Sequence, residues 1–156
     1  GDRFEVAGLR FETILTPCHT IGSVSFKLEG VAGGDVLFSG DTMFCGGCGN
    51  PFEGTMAHIA QMADQYAQAR SAFAAIDGVE NLRHRGTIFA FELRSEMGGY
   101  LDPIGRRVSD RTFPMGLYSR PLGNTLYLMP PYCLTSDELE RCLAQLHEAT
   151  VAELIA

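Results

Sequence analysis

The hydrophobic pattern of this chain changes its period near Thr55, and this change limits the possible folds more than any other feature. Before Thr55, apolar and polar residues alternate over residues 9–15 and 23–28, and a short apolar run follows at 35–39. Alternation with a period of two is typical of half-buried strands. After Thr55, apolar residues recur at spacings of three and four, as in an amphipathic helix. The pattern predicts consecutive strands followed by a region built around helices.

The later region is predicted to contain two long helices. An apolar stripe predicts the first over residues 55–76, with Gly78 just beyond its end. Thr135 and Glu138 have the spacing of a capping box and predict a final helix over residues 136–155. Between the two helices the pattern predicts a strand over 86–93, a short helix over 106–113, and a hairpin of 117–120 with 125–129 around a turn at 121–124.

Composition places the 156 residues among ordinary globular proteins, since 46% are apolar and 20% are charged. The formal net charge of -7 argues against nucleic acid or an anionic membrane as a partner, because both need a basic surface. Residues 1–10 show no secretory signal, so we expect a cytoplasmic protein. Five cysteines without a signal favour free thiols over disulfides. The first residue is a glycine rather than methionine, which suggests a processed product or a piece of a longer chain.

Two potential metal ligands follow predicted strands. His19 lies in Thr-Pro-Cys-His-Thr after the first alternating segment, and Asp41 lies in Ser-Gly-Asp-Thr after the short apolar run. Loops at strand ends often carry metal ligands on a rigid sheet. A structural role for His19 is the alternative. Cys45 and Cys48 form a C-x-x-C pair, which can carry redox or zinc chemistry, although no second such pair accompanies it.

The strings TPCHTIGSVSFKL and VLFSGDTMFCGGCGNPFEGT resemble the second half of the catalytic domain of glyoxalase II, the hydroxyacylglutathione hydrolase of the metallo-β-lactamase fold. The resemblance covers about residues 11–60. It implies hydrolysis of the S-lactoylglutathione thioester at a two-metal centre, where a bridging hydroxide is the nucleophile. It also implies that His19 is a metal ligand and that Asp41 bridges both metals. Cys45 and Cys48 would by the same resemblance lie in a substrate loop. A divalent metal, which is zinc, iron or manganese, is the implied cofactor.

The chain departs from that family at the ligands and in the substrate loop. It lacks the family's upstream H-x-H-x-D-H motif and its last histidine, so His19 and Asp41 form an incomplete set. A catalytic zinc needs about three protein ligands. Asn50 and Phe52 stand where the family has a substrate-binding lysine and tyrosine, which should weaken carboxylate recognition.

The strings RHRGTIFAFEL and GLYSRPLGNTLYLMPPYCLTSDELERCL resemble the C-terminal small domain of adenosylmethionine-8-amino-7-oxononanoate aminotransferases, which are class III pyridoxal-phosphate enzymes of biotin synthesis. The resemblance covers about residues 62–155 and implies that Arg120 grips the carboxylate of 7-keto-8-aminopelargonate. A merely solvated Arg120 is the alternative. The family needs a Schiff-base lysine from its large domain. Lys27 is the chain's one lysine and lies in the hydrolase-like part, so pyridoxal phosphate is not expected to bind.

The whole sequence therefore predicts a mixed α/β (α+β) fold made of two parts. Residues 1–60 are expected to form a partial metallo-β-lactamase-type sheet, joined through a long helix to an aminotransferase-type small domain at 61–156. We expect a composite without autonomous catalysis. The alternatives are a glyoxalase II-type hydrolase completed by missing or partner segments, and part of an aminotransferase. Sheet faces that have lost their covering layer should pack on the second part, pack on another copy of the chain, or stay exposed.

Overall fold

A computed structural model describes residues 1–17, 19–44, 49 and 56–156. The chain divides into two compact units. The first comprises Gly1–Met56 with Pro131–Cys133, and the second comprises Ala57–Pro130 with Leu134–Ala156. Within the described ranges, each helix is too short or too polar to cross a lipid bilayer.

The first unit contains a four-stranded antiparallel sheet with its strands in chain order. The strands are β1 (Arg3–Val6), β2 (Leu9–Leu15), β3 (Val24–Glu29) and β4 (Val36–Phe38), and a 3₁₀ helix (Gly40–Thr42) follows. Strands β2 and β3 lie where alternation predicts them, and β4 lies in the short apolar run. The sequence analysis missed β1, which is joined to β2 through Ala7 and Gly8. Both linking residues have positive φ, at 51° and 77°, as a tight two-residue hairpin requires.

The second unit combines a three-stranded antiparallel sheet of order β5-β6-β7 with helices. Its elements in chain order are α1 (Met56–Ala74), β5 (Val79–Arg85), β6 (Ile88–Leu93), α2 (Ile104–Thr112), β7 (Thr125–Leu128) and α3 (Ser136–Leu154). A short 3₁₀ helix (Phe113–Met115) follows α2. The mixed α/β class and the two long helices agree with the sequence pattern.

The core of the second unit forms where α1 covers β6. Phe89 and Phe91 of β6 and Tyr66 and Phe73 of α1 are almost completely removed from solvent. The Phe73 ring lies 4.9 Å from the Phe89 ring and 5.2 Å from that of Phe91, as ring centroids. The Tyr66 hydroxyl donates a 3.1 Å hydrogen bond to the Thr87 carbonyl oxygen, so its polar end is satisfied inside the core.

Helix α3 begins with the predicted capping box. The Glu138 N–H donates to the Thr135 hydroxyl at 3.3 Å, and the Thr135 N–H donates to a Glu138 carboxylate oxygen at 2.8 Å. Hydrogen bonds from the Thr135 N–H and hydroxyl hold the pKa of Glu138 below its ordinary value. Leu139, Leu143 and Leu146 are buried and form the inner face of the helix.

Two parts of the second unit differ from the sequence pattern. The predicted hairpin of 117–120 with 125–129 is wrong, because β7 pairs with β6 and residues 117–120 form no strand. That segment is held by α2 instead, since Ser109 Oγ donates a 2.6 Å hydrogen bond to the Ser119 carbonyl oxygen. Strand β5 was missed because a bulge between Glu80 and Arg83 breaks its alternation.

Candidate functional site

His19 and Asp41 come together at one edge of the first unit's sheet. Strands β2 and β4 both run antiparallel to β3, so they run parallel to each other and their carboxyl ends reach the same edge. His19 follows β2, and Asp41 lies in the 3₁₀ helix after β4. His19 Nε2 is 3.5 Å from Asp41 Oδ2. Topology therefore explains how two residues far apart in sequence become neighbours.

Three hydroxyl groups connect the segments that carry this pair. Thr16 Oγ1 lies 3.0 Å from Thr42 Oγ1 and 3.3 Å from Ser25 Oγ. Ser25 and Thr42 are buried. The hydroxyl cluster ties the end of β2 to β3 and to the 3₁₀ helix, and the sequence analysis missed its role because the three residues are separated along the chain.

Gly49 lies directly against the pair. Its N–H donates a 2.9 Å hydrogen bond to the Asp41 carbonyl oxygen. A Cβ at this position would sit 2.1 Å from that oxygen and 3.0 Å from His19 Nδ1. Only glycine fits this contact without a shift of the backbone. The glycine-rich loop was visible in the sequence, but nothing in its pattern distinguished Gly49 from its neighbours.

The described donors do not suit a catalytic metal ion. His19 and Asp41 supply two ligands, and over the described ranges no group of three or more His, Cys, Asp or Glu side chains is arranged to hold a metal. A catalytic zinc needs about three protein ligands, and a two-metal centre needs more. Asn50, Phe52 and the Cys45 and Cys48 pair lie outside the described residues.

Lys27 forms a salt bridge that does not suit a Schiff-base lysine. It lies on β3, and its Nζ is 2.9 Å from Asp35 Oδ2. The hydrogen bond and negative charge of Asp35 raise the pKa of Lys27 above its ordinary value. A nucleophilic lysine needs its pKa lowered so that the neutral amine is available. The residues around Lys27 do not fit pyridoxal phosphate.

Arg120 lines a cleft of about 680 Å³ in the second unit. The cleft is bounded by α2 and the turn that precedes β7. Its lining comprises Tyr100, Asp102, Arg106, Ser109, Asp110, Phe113, Tyr118, Ser119, Arg120, Pro121, Leu122 and Gly123. Arginine and tyrosine side chains around one opening can recognise a carboxylate attached to an apolar chain. The sequence analysis identified Arg120 but missed the residues contributed by α2.

Asp102 organises one wall of this cleft. Its buried carboxylate accepts hydrogen bonds from the Ser95 hydroxyl, from the Gly98 N–H at 2.8 Å and from the Ile104 N–H at 2.8 Å. The Ser95 hydroxyl and these N–H groups hold the pKa of Asp102 below its ordinary value. Asp102 therefore shapes the start of α2 while its own acceptor atoms are occupied.

Close backbone contacts fix the opposite wall. A Cβ at Gly105 would lie 2.2 Å from the Gly123 carbonyl oxygen, and one at Gly123 would lie 1.9 Å from the Gly99 carbonyl oxygen. Gly123 also has a positive φ of 61°. These contacts hold the turn beside Arg120 against the start of α2.

Comparison with known proteins finds two unrelated kinds of relative. An adenosylmethionine-8-amino-7-oxononanoate aminotransferase of Synechococcus elongatus is 45% identical over 84 residues, which is 54% of this chain and 20% of that protein. A hydroxyacylglutathione hydrolase of Synechococcus sp. is 45% identical over 74 residues, which is 46% of this chain and 28% of that protein. The chain thus spans only 20% and 28% of the length of these two relatives. No protein-family model matches it.

Solved structures with a similar fold are aminotransferases. One from Vibrio fluvialis has a TM-score of 0.57 at 21% identity and covers 64% of this chain and 23% of its own. An amine transaminase from an uncultivated Pseudomonas species has a TM-score of 0.52 at 29% identity, covering 61% of this chain and 22% of its own. Both resemblances predicted from the sequence are confirmed. The chain is therefore composite in the sense that it resembles two different kinds of enzyme.

Proposed function

We propose that the chain is a composite of a hydroxyacylglutathione hydrolase-like fragment and a biotin-pathway aminotransferase-like small domain, and that it acts as a structural or binding module without autonomous catalysis. The observation that carries the proposal is the His19 and Asp41 pair, which provides two ligands among the residues that the structure describes, where metal-activated hydroxide needs about three. The salt bridge of Lys27 with Asp35 argues against amine chemistry by the same chain.

The principal alternative is a metal-dependent thioester hydrolase of glyoxalase II type, completed by segments or partners that supply the remaining ligands. Elemental analysis of protein purified without chelator, combined with an S-lactoylglutathione hydrolysis assay, separates the two readings. We expect far less than one zinc, iron or manganese per chain and no hydrolysis above the buffer rate. Stoichiometric metal that is lost in His19→Ala, and retained in the His58→Ala control on α1, would establish the hydrolase instead.

The second alternative is a role in pyridoxal-phosphate chemistry on 7-keto-8-aminopelargonate. The salt bridge of Lys27 with Asp35 argues against it, because it holds the amine in its charged form. Pyridoxal phosphate added to the full chain should give no Schiff-base absorbance and no borohydride-fixed adduct on Lys27. An adduct that disappears in Lys27→Met would support the aminotransferase reading.

A binding function for the Arg120 cleft is supported by its size and by the arginine on its lining. The ligand class is a keto or amino acid with a carboxylate at the end of an apolar chain, as in 7-keto-8-aminopelargonate. Calorimetric titration with this compound tests the assignment. We expect weak binding that Arg120→Ala abolishes and that Arg85→Ala, at an exposed arginine of β5, leaves unchanged. Equal binding by both variants would remove Arg120 from the site.

A further inference from the structure

Side-chain exposure alternates along residues 117–120, the segment that brings Arg120 to its cleft. Leu117 is 7% exposed and Ser119 is 5% exposed, whereas Tyr118 is 56% exposed and Arg120 is also exposed. In an extended segment, side chains two residues apart point to the same side. Tyr118 and Arg120 therefore lie on the outer side of this segment, and both belong to the lining of the cleft.

A second aromatic ring lies beside Tyr118. Phe113 begins the 3₁₀ helix after α2, is 67% exposed and also lines the cleft. Its ring centroid is 6.4 Å from that of Tyr118, and the rings meet edge to face with an angle of 79° between their planes. Edge-to-face contact is a favourable arrangement of two aromatic rings. We call these two side chains the aromatic pair.

Backbone hydrogen bonds hold the segments that carry the aromatic pair. The Gly116 N–H donates to the Phe113 carbonyl oxygen at 3.0 Å, and the Leu117 N–H donates to the Thr112 carbonyl oxygen at 3.1 Å. Gly116 has a positive φ of 89°, which glycine adopts without strain, and this turn returns Leu117 to the end of α2. The backbone positions of both rings are therefore fixed before a ligand binds, which lowers the ordering cost of binding.

The aromatic pair is apolar surface that a ligand can cover. More than half of each side chain is open to solvent, and covering such surface with an apolar group is favourable in water. Ligand clefts commonly combine aromatic side chains with a few polar groups that fix orientation. In this cleft of about 680 Å³ the aromatic pair supplies the apolar surface and Arg120 supplies a polar group.

The two acidic side chains that line the cleft, Asp102 and Asp110, are engaged within the protein. Asp110 forms an ion pair with Arg106 at 3.0 Å. The Asp102 carboxylate accepts hydrogen bonds from two backbone N–H groups, each at 2.8 Å. Because neighbouring donors compensate both carboxylates, a ligand carboxylate can bind beside Arg120 without strong repulsion.

We propose that the aromatic pair is the specificity-determining subsite of this cleft, and that it binds the apolar chain of a straight-chain monocarboxylic acid whose carboxylate Arg120 binds. The cleft then selects among carboxylic acids by the length of the apolar chain. Since Tyr118 and Arg120 lie on the same side of one segment, a chain that starts at the Arg120 guanidinium can pass along the Tyr118 ring toward Phe113. The inference rests on the binding function proposed for Arg120 and adds the residues that distinguish one carboxylic acid from another.

The expected selectivity follows from the exposure of the two rings. Complete burial of one methylene group raises affinity about fourfold. The aromatic pair covers a chain from one side, so we expect about half of that free energy, which is a twofold gain in affinity per methylene group. Decanoate has four more methylene groups than hexanoate and should therefore bind roughly fifteenfold more tightly.

Titration of the full chain with hexanoate, octanoate and decanoate, followed by the amide NMR shifts of residues 115–120, tests this inference. These local shifts separate binding in the cleft from binding of the acids to the exposed sheet of the first unit. Phe113→Ala should lower the affinity for decanoate about fivefold and the affinity for hexanoate less than about twofold. Arg120→Ala should weaken the binding of all three acids by the same factor. Met97→Ala is the matched control, because Met97 is 69% exposed and lies outside the cleft lining.

Several results would overturn the inference. Equal affinity of the wild-type chain for the three acids, or an undiminished dependence on chain length in Phe113→Ala, removes the aromatic pair from the site while Arg120-dependent binding stands. An equal loss of affinity in Met97→Ala shows that the effect is not specific to the cleft. Binding that Arg120→Ala leaves unchanged, or no shift of these amides with any acid, overturns the inference together with the binding function of Arg120. Tyr118→Ala repeats the test if circular dichroism shows that Phe113→Ala fails to fold.

Discussion

The two sheets of this protein follow the same antiparallel pattern but differ in what covers their apolar faces. In the second unit, Phe89 and Phe91 of β6 are fully buried beneath α1. In the first unit, Phe4 and Phe38 also lie on the apolar side of their sheet, but they are 41% and 52% exposed. The comparison teaches that alternation produces a sheet, whereas a core also requires a second layer.

The largest difference between the units should follow from truncating one phenylalanine in each. Phe73→Ala removes a fully buried ring that contacts Phe89, Phe91 and His147, and we expect a loss of about 3–5 kcal/mol in unfolding free energy. Phe38→Ala should cost less than about 1 kcal/mol, because its ring is half exposed.

Urea unfolding at low protein concentration, followed by helical circular dichroism and by hydrogen exchange in β2 to β4, measures both effects. The helical signal reports the second unit, which contains α1 to α3, and the strand amides report the first. Comparable losses for Phe73→Ala and Phe38→Ala would show that the first unit has a core of its own.

A smaller loss of stability is expected from breaking the ion pairs between α2 and α3. The Glu153 side chain is 7% exposed and pairs with Arg107 and, at 2.9 Å, with Arg111. Desolvation alone would raise the pKa of Glu153, but the hydrogen bonds and charges of Arg107 and Arg111 outweigh it and lower the pKa. Glu153→Gln should destabilise the second unit by about 1–2 kcal/mol at neutral pH, since the arginines are half exposed and solvent screens them.

The same carboxylate gives a pH dependence of definite sign. A lowered folded pKa means that its contribution is complete above the unfolded value near 4.5 and is lost as the pH falls through the folded pKa. The stability difference between wild type and Glu153→Gln should therefore shrink on acidification. Thermal melts at neutral pH and near pH 3 measure it, and a difference that stays constant would contradict this assignment.

A further small loss of stability is predicted for a change at the start of α3. Thr135→Ala removes the hydroxyl that accepts the Glu138 N–H, and a loss of about 1 kcal/mol is expected. Thr135→Ser keeps the hydroxyl and serves as the control. Denaturant titration should rank alanine clearly below serine and wild type. No difference between the two variants would mean that the capping box contributes nothing measurable.

The sequence predicted best where local chemistry decides the structure. The Thr135 and Glu138 capping box marked the start of α3, and alternation marked β2. The sequence analysis failed where tertiary contacts decide the structure. The bulge in β5 hid its alternation, and residues 117–120 looked like a strand although Ser109 draws them against α2.

The same contrast between local chemistry and tertiary contacts explains which site residues could be predicted. His19 and Asp41 each follow a predicted strand, and the resemblance to glyoxalase II assigned both to one site. The parallel course of β2 and β4 brings their ends to one edge. Gly49 and the hydroxyl cluster of Thr16, Ser25 and Thr42 escaped prediction, since their contacts join separate parts of the chain. Arg120 was identified through a resemblance, whereas the α2 side of its cleft depends on tertiary packing.

Hydrogen exchange of the full chain at low protein concentration tests most directly whether only the second unit has a core of its own. We predict that amides of β6 and α3 exchange slowly, while those of β2 to β4 exchange much faster. Equally slow exchange in both sheets would contradict the account.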